Sequence, residues 1–138
     1  MVALKSATQD DIAAVLEFWS EATSEPSSTD DDKGITGLLD HAPGSLILAI
    51  EDDAIIGSVI AGWDGWRGTL YRLAVAPAQR RRGIATTLVN AAEQQLRAKG
   101  VRRMHLIVSI AGGAGAEAFW NAAGYQPTDQ VRMVKDLA

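Results

Sequence analysis

Apolar residues occur along the chain in two patterns, a helical spacing and continuous runs, and each pattern predicts one kind of element. One set recurs every four residues, at Ile84, Leu88, Ala92 and Leu96. This set predicts a long amphipathic helix with its C-terminal cap at Gly100. Three shorter helices are also predicted: one that begins at Thr8, one over residues 35–42 and one that ends at Gly124.

Runs of β-branched and other apolar residues predict the strands that separate these helices. A turn at Asp52 and Asp53 would join two of the runs into an antiparallel hairpin. The predicted strands cover residues 2–5, 45–51, 54–63, 69–75, 104–110 and 131–134. Their order predicts a single α+β domain over residues 1–138, with a central, mostly antiparallel sheet flanked by helices.

Composition narrows the class of protein. Acidic residues outnumber basic ones by 17 to 13, for a net charge of −4, so we do not expect nucleic acid as the main partner. The chain has no cysteine, which excludes disulfides, thiolate metal sites and a cysteine nucleophile. No apolar run approaches the length of a signal core or a membrane span, so we expect no membrane partner and a cytoplasmic location. We also expect no metal.

Three consecutive arginines, Arg80–Arg82, precede Gly83 at the predicted start of the longest helix. A helix N-terminus offers unpaired N–H groups and a partial positive charge, so it binds phosphate where the chain permits close approach. The Gly-Lys-Ser/Thr of nucleotide hydrolases and the glycines of the dinucleotide fingerprint are absent. The spacing alone therefore predicts either a pyrophosphate site or arginines that solvate the helix start or bind an acidic neighbour.

Arg80, Gly83 and Ala85 fit the Arg/Gln-x-x-Gly-x-Gly/Ala signature of the GNAT superfamily of acyl-CoA-dependent N-acyltransferases. The Val-x-Pro at residues 75–77 and the FWNAAGY at residues 119–125 also resemble that family, and the element order is similar over nearly the whole chain. The resemblance implies a GNAT-like fold with splayed central strands. It also implies transfer of an acetyl group from acetyl-CoA to a primary amine of a small molecule or a protein. A homodimer is compatible with the sequence.

The resemblance further implies where acetyl-CoA lies. Its pyrophosphate would contact the N–H groups of residues 80–85, and its pantetheine would run between the strands at 69–75 and 104–110. Backbone groups of Leu73 and Val75 would pair with the pantetheine amides, and an N–H near Val75 would polarise the thioester carbonyl. The implied cofactor-binding residues are Leu73, Ala74, Val75, Arg80, Arg81, Arg82, Gly83, Ile84, Ala85, Thr86 and Trp120.

Trp120 departs from the family pattern, because many members carry there a tyrosine that protonates the departing thiolate. An indole cannot act as that acid. Tyr71, Tyr125 or water could replace it, and the sequence does not choose among them. His41 and His105 are the only histidines, and a general base is unnecessary if the amine arrives partly neutral.

The acceptor side has one candidate loop, which contains Trp63, Asp64 and Trp66. Two tryptophans around a carboxylate suit a cationic amine, so we predict Asp64 as a catalytic or acceptor-binding residue and both tryptophans as substrate-binding residues. Alternatively, Asp64 pairs with Arg67 or caps a hairpin turn. The acidic segment, residues 24–32, is a second place that could attract a basic acceptor.

Two other functions stay open on the sequence alone. The tryptophan at position 120 is compatible with a CoA-binding regulatory or interaction module that has no turnover. Arg80–Arg82 together with Arg102 and Arg103 would suit a nucleic-acid binder, whose affinity should fall steeply with salt.

Overall fold

The computed structural model describes residues 1–23, 27–108 and 113–137, and it divides into two compact units, Met1–Met104 and His105–Ala138. The elements are β1 (Ala3–Ser6), α1 (Ile12–Ala22), α2 (Asp32–His41), β2 (Leu46–Glu51), β3 (Ala54–Trp63), β4 (Gly68–Val75), α3 (Ile84–Ala98), β5 (Met104–His105) and α4 (Gly113–Ala122). The predicted α+β class is confirmed. The single domain stays a prediction.

The strands form one sheet in the order β1-β2-β3-β4-β5, and the pairings of β1 with β2, β2 with β3 and β3 with β4 are antiparallel. The predicted hairpin turn is confirmed, since Asp52 and Asp53 have φ values of 52° and 63°. Positive φ at both central residues gives the turn the twist that antiparallel strands need. The hairpin places fully buried side chains such as Leu46, Leu48 and Val59 in the core.

Helix α3 packs on strand β3 at a glycine. A Cβ atom at Gly57 would lie 2.9 Å from Leu88 Cδ1 and 3.1 Å from Ile84 Cγ2, so a larger residue would have to displace these two side chains. Helix α1 buries Val15 and Trp19, two residues of the predicted apolar stripe. Both helices therefore attach to the sheet through the faces that the sequence predicts.

Several predicted elements differ from the structure. Helix α1 begins at Ile12, after a 3₁₀ turn at Gln9–Asp11, instead of at Thr8, and β1 covers Ala3–Ser6 instead of residues 2–5. Helix α2 begins at Asp32 instead of residue 35, because the Asp31 carboxylate caps it by accepting the Gly34 N–H at 2.7 Å. The predicted strand 104–110 is a strand only at Met104–His105; residues 106–108 are irregular, and 109 and 110 lie outside the described residues. Residues 131–134 form no strand and are exposed, because β-branched content makes a strand only where a partner and a core exist.

Candidate cofactor and acceptor site

The Gly83 turn, residues 79–83, is the last part of the connection between β4 and α3, after a 3₁₀ turn at Pro77–Gln79. Gly83 is the N-cap residue of α3 with φ 77° and ψ 11°, and Arg81 also has a positive φ of 67°. A Cβ atom at Gly83 would meet nothing within 4 Å, so the left-handed backbone is what calls for glycine here. Gly83 has no side chain to cap the first-turn N–H groups, and an anion can approach them.

The three arginines of this turn have different surroundings. Arg80 and Arg81 are exposed. Arg82 donates from Nη1 and Nη2 to the two carboxylate oxygens of Glu51, both at 2.9 Å, and it also donates to Gln79. The hydrogen bond from Arg82 lowers the pKa of Glu51 to about 2, and the same pair raises the pKa of Arg82. Arg82 thus binds an acidic neighbour, while Arg80 and Arg81 face solvent.

Strand β4 carries a bulge just before this turn. Its register with β3 shifts between Ser58 and Ile60, and Arg72 has a φ of 52°. After the bulge, regular pairing resumes at Ala74 and continues through the Ala76 N–H, which donates to the Ile56 carbonyl at 2.9 Å. The predicted cofactor residues Leu73, Ala74 and Val75 therefore lie at the end of β4 that is followed, after a 3₁₀ turn at Pro77–Gln79, by the Gly83 turn. The Ala74 side chain is buried, so only its backbone could serve a ligand.

Residues 24–26 of the acidic segment lie outside the described residues, and Asp30, in its described part, contacts the bulge. The Arg72 guanidinium donates to Asp30 from Nε at 3.0 Å and from Nη2 at 2.5 Å. It also lies 5.7 Å from the centre of the Trp19 ring. Arg72 is not among the predicted site residues, and Asp30 is predicted only as a member of the acidic segment. The available signal was one arginine inside the otherwise apolar end of a predicted strand.

The Asp64 turn, residues 64–67, lies at the other end of β4. Asp64 Oδ1 accepts the N–H groups of Trp66 at 2.8 Å and Arg67 at 2.7 Å, so the carboxylate caps the turn. The Arg67 guanidinium lies 4.0 Å from the Trp66 ring centre, and the Lys99 ammonium lies 5.0 Å from that of Trp63. These contacts are those of the turn-capping alternative, and each predicted acceptor tryptophan already contacts a cation of the protein.

The structure does not bring the Asp64 turn and the Gly83 turn together. Strand β4 separates them, and at roughly 3.3 Å per residue its eight residues span about 23 Å. Lys99 is the C-cap residue of α3, so the two turns also lie at opposite ends of that helix. An open cavity at the Asp64 turn is lined by Trp66, Arg67, Arg102 and Arg103, which makes this end basic.

The second unit contains a cluster of three aromatic rings. Trp120 makes edge contacts with Phe119 at 5.0 Å and with Tyr125 at 5.3 Å between ring centres. The Tyr125 N–H donates to the Trp120 carbonyl at 2.9 Å, and Gly124, with φ 96°, follows the end of α4 as predicted. The phenol-bearing ring of Tyr125 is therefore a direct neighbour of Trp120.

Comparisons with known proteins test the resemblance. A sequence model described as "Acetyltransferase (GNAT) family" matches residues 9–125, which is most of the chain. The chain belongs to the GNAT family of acetyltransferases. An acetyltransferase of Pectobacterium atrosepticum is 38% identical over 100 residues, which cover 72% of this chain and 71% of that one.

Solved structures confirm the GNAT-like fold. The PaiA N-acetyltransferase from Thermoplasma acidophilum in complex with coenzyme A gives a TM-score of 0.80 at 17% identity, with 95% of this chain and 93% of that chain covered. A predicted acetyltransferase from Clostridium acetobutylicum with acetyl-CoA gives 0.74 at 16% identity, with 98% and 96% covered. At these identities the likeness concerns the fold alone.

Two further observations concern partners of other kinds. None of the helices in the described residues has both the length and the apolar character needed to cross a membrane. Within residues 1–23, 27–108 and 113–137, no group of three or more acidic or histidine side chains could hold a metal ion.

Proposed function

We propose that this GNAT acetyltransferase uses acetyl-CoA as the co-substrate and acetylates a primary amine of a small molecule or a protein. The observation that carries the proposal is the left-handed Gly83 turn at the N-terminus of α3, the helix that follows the bulged strand β4. Membership of the family supports it, as do the structures of similar fold with CoA or acetyl-CoA.

In this proposal the pyrophosphate binds the first-turn N–H groups of α3, from Gly83 to Thr86. Arg80 and Arg81 contribute positive charge from solvent-exposed positions, whereas the charge of Arg82 is largely compensated by Glu51. Backbone groups of Leu73 and Val75 bind the pantetheine arm. Trp120 contributes an apolar contact, since its indole has no acidic proton to give.

The chemistry is acyl transfer from sulfur to nitrogen. The neutral amine attacks the thioester carbonyl carbon, and backbone N–H donors of β4 stabilise the negative charge that develops on the carbonyl oxygen. The C–S bond then breaks, the sulfur takes a proton, and the nitrogen loses one to give the amide. Tyr71, which precedes the bulge, and Tyr125, which contacts Trp120, are the candidate acids beside water.

The acceptor has two candidate positions. At the Asp64 turn, a cationic amine would meet Asp64, Trp63 and Trp66, and it would compete with Lys99 and Arg67 for the ring faces. In the acidic segment, Asp30 lies against the β4 bulge, next to the backbone assigned to the pantetheine. We retain Asp64 as the proposed acceptor residue, for an acceptor long enough to reach from the Asp64 turn to the β4 bulge, with the acidic segment as the alternative.

The direct test incubates the purified protein with acetyl-CoA and a panel of amines and peptides, and measures thiol release and acetylated product by mass spectrometry. We expect acetyl-CoA to raise the melting temperature and at least one amine to gain an acetyl group. Absence of acetyl-CoA binding would overturn the proposal. Binding without turnover of any amine would favour a CoA-binding regulatory module. A cytoplasmic location and the absence of a nucleic-acid partner stay predictions.

A further inference from the structure

The bulge in β4 is held in a conformation that its sequence does not favour. Arg72 has a φ of 52°, and Arg72 and Leu73 together lie opposite Val59 where the register shifts. A non-glycine residue with positive φ is disfavoured and persists where surrounding contacts hold it. The partners of this peptide therefore determine whether the bulge keeps its shape.

The main-chain carbonyl of Arg72 is held by a buried serine. The Ser58 hydroxyl donates to that carbonyl at 2.8 Å and accepts the Trp19 indole N–H at 2.9 Å. The direction of both bonds is fixed, because a carbonyl only accepts and an indole N–H only donates. The Ser58 side chain is fully buried and Trp19 is 3% exposed, so water does not compete for these bonds.

Fixing this carbonyl also fixes the next N–H group. In a planar trans peptide the C=O and the N–H point in opposite directions, and the chain contains no cis peptide bond among the described residues. The carbonyl of Arg72 points to the Ser58 side of β4, where β3 pairs. The N–H of Leu73 therefore points away from β3, and Leu73 is one of the residues assigned to acetyl-CoA.

We propose that Ser58 and Trp19 are positioning residues for acyl transfer. The hydrogen-bonded chain from the Trp19 indole through the Ser58 hydroxyl to the Arg72 carbonyl holds the β4 bulge so that the Leu73 N–H donates to the bound acyl-CoA. The bidentate contact of the Arg72 guanidinium with Asp30 holds the same residue through its side chain. This inference rests on the proposed function, since it needs a bound acyl-CoA.

The test compares Ser58→Ala and Trp19→Phe with Ser45→Ala. Ser45 is a matched control because it is also buried, and within the described residues its hydroxyl has no hydrogen-bond partner. We expect Ser58→Ala to lower kcat by roughly ten-fold to a hundred-fold, since a displaced donor stabilises the oxyanion less. The KM for the amine should change little. Ser45→Ala should keep the parent kcat.

Two further measurements separate positioning from general loss of stability. Trp19→Phe should lower kcat in the same direction, and the double variant should be no worse than the poorer single variant, because both act through one hydrogen-bonded chain. Amide hydrogen exchange in β4 should accelerate in Ser58→Ala and stay unchanged in Ser45→Ala. If Ser58→Ala does not fold, Trp19→Phe carries the same comparison.

The outcomes distinguish this inference from the proposed function. A parent protein that binds no acetyl-CoA overturns the proposed function and the inference with it. If the parent protein turns over and both Ser58→Ala and Trp19→Phe keep the parent kcat, the inference alone is overturned. A fall in kcat with unaltered exchange in β4, or with fully additive losses in the double variant, also overturns it.

Discussion

The two ends of strand β4 differ in how their conformation is maintained. At the Asp64 turn, the carboxylate bonds to N–H groups two and three residues along the chain, and Trp66 remains 69% exposed. At the bulge, Arg72 is held by Ser58 from β3 and by Asp30 from the segment before α2. One end depends on local bonds, and the other depends on residues 14 and 42 positions away in the sequence.

The parts of the site therefore differ in whether their shape depends on residues that are remote in the sequence. A local turn keeps its shape when remote residues change, whereas the bulge depends on tertiary packing of α1 and β3. The Gly83 turn has features of both kinds. The left-handed φ of Gly83 is one that glycine adopts readily, whereas Arg81 has a positive φ and Arg82 is held by Glu51 of β2.

We expect the largest effect, on acetyl-CoA affinity, from a substitution at Gly83, and Gly65 is the matched position for comparison. Gly83 and Gly65 have φ values of 77° and 91°, and a Cβ atom at either would meet nothing within 4 Å. Glutamate at either position therefore has a similar backbone cost. We expect Gly83→Glu to weaken acetyl-CoA binding by at least about a hundred-fold, because a carboxylate would occupy the pyrophosphate position. Calorimetric titration measures the affinity.

Gly65→Glu is the control for this substitution. It should lose a similar amount of stability in a thermal melt and keep the parent affinity for acetyl-CoA. Equal affinities in the two folded variants would mean that the Gly83 turn is not the phosphate site.

Asp64→Asn tests whether the other end of β4 receives the amine. The amide oxygen of asparagine can still accept the N–H groups of Trp66 and Arg67, so the turn should remain while the charge is lost. If Asp64 binds a cationic acceptor, kcat/KM for the amine should fall roughly ten-fold to a hundred-fold, with acetyl-CoA affinity unchanged. A base role would instead lower kcat at saturating amine.

Asp53→Asn supplies the matched control for the charge. Asp53 is an exposed aspartate in the β2–β3 turn, and asparagine tolerates its positive φ. Both variants should keep their stability. Full activity of Asp64→Asn towards the best amine would assign the acceptor to the acidic segment, and Asp30→Asn would become the next variant to measure.

The sequence predicts most of the fold because its signals are local or periodic. The stripe on α3, the hairpin turn at Asp52 and Asp53, and the helix ends near Gly100 and Gly124 each depend on a few neighbouring residues. The extent of β5 and the irregular residues 131–134 depend on which partner a strand finds, and this information is not in the strand itself.

The candidate site divides in the same way. The Arg80–Ala85 signature and the FWNAAGY segment indicate the family from sequence alone, and the match to the GNAT family over residues 9–125 bears this out. The chain from Trp19 to Ser58 and Arg72 could not be predicted, because a serine in an apolar strand has no pattern that identifies its partner. Its members are brought together only by packing of α1 on the sheet.

A smaller effect is expected from Trp120→Tyr, which restores the residue that many family members carry. Trp120 is half-buried and makes edge contacts with Phe119 and Tyr125, so the smaller ring of tyrosine should leave the fold intact. We expect kcat to rise by up to about ten-fold if the new phenol protonates the thiolate, or to stay at the parent value. Phe119→Tyr, which adds a phenol to the adjacent ring, should leave kcat unchanged. A large fall in kcat with CoA affinity preserved would mean that the indole itself is needed.

The smallest expected effect concerns the salt bridges at the two ends of α3. Glu51 holds Arg82 beside the Gly83 turn, and Glu93 pairs with Arg97 at 3.6 Å in the last turn of the helix. Glu51→Gln removes the charge that compensates Arg82, so acetyl-CoA should bind about two-fold to five-fold more tightly at low salt. Glu93→Gln should leave the affinity unchanged, because the phosphates would lie at the other end of α3.

The pKa of Glu51 gives the same pair a pH signature. Its folded-state pKa of about 2 lies below the ordinary value of 4.5, so the contribution of the pair to stability is fully present above pH 4.5 and is lost as the pH falls towards 2. Melting temperatures recorded across that window should fall more for the parent than for Glu51→Gln, since glutamine does not titrate.

Equal tightening of acetyl-CoA binding by Glu51→Gln and Glu93→Gln would indicate a general effect of net charge. In that case Arg82 would have no specific place beside the pyrophosphate, and the positive charge at the turn would come from Arg80 and Arg81 alone.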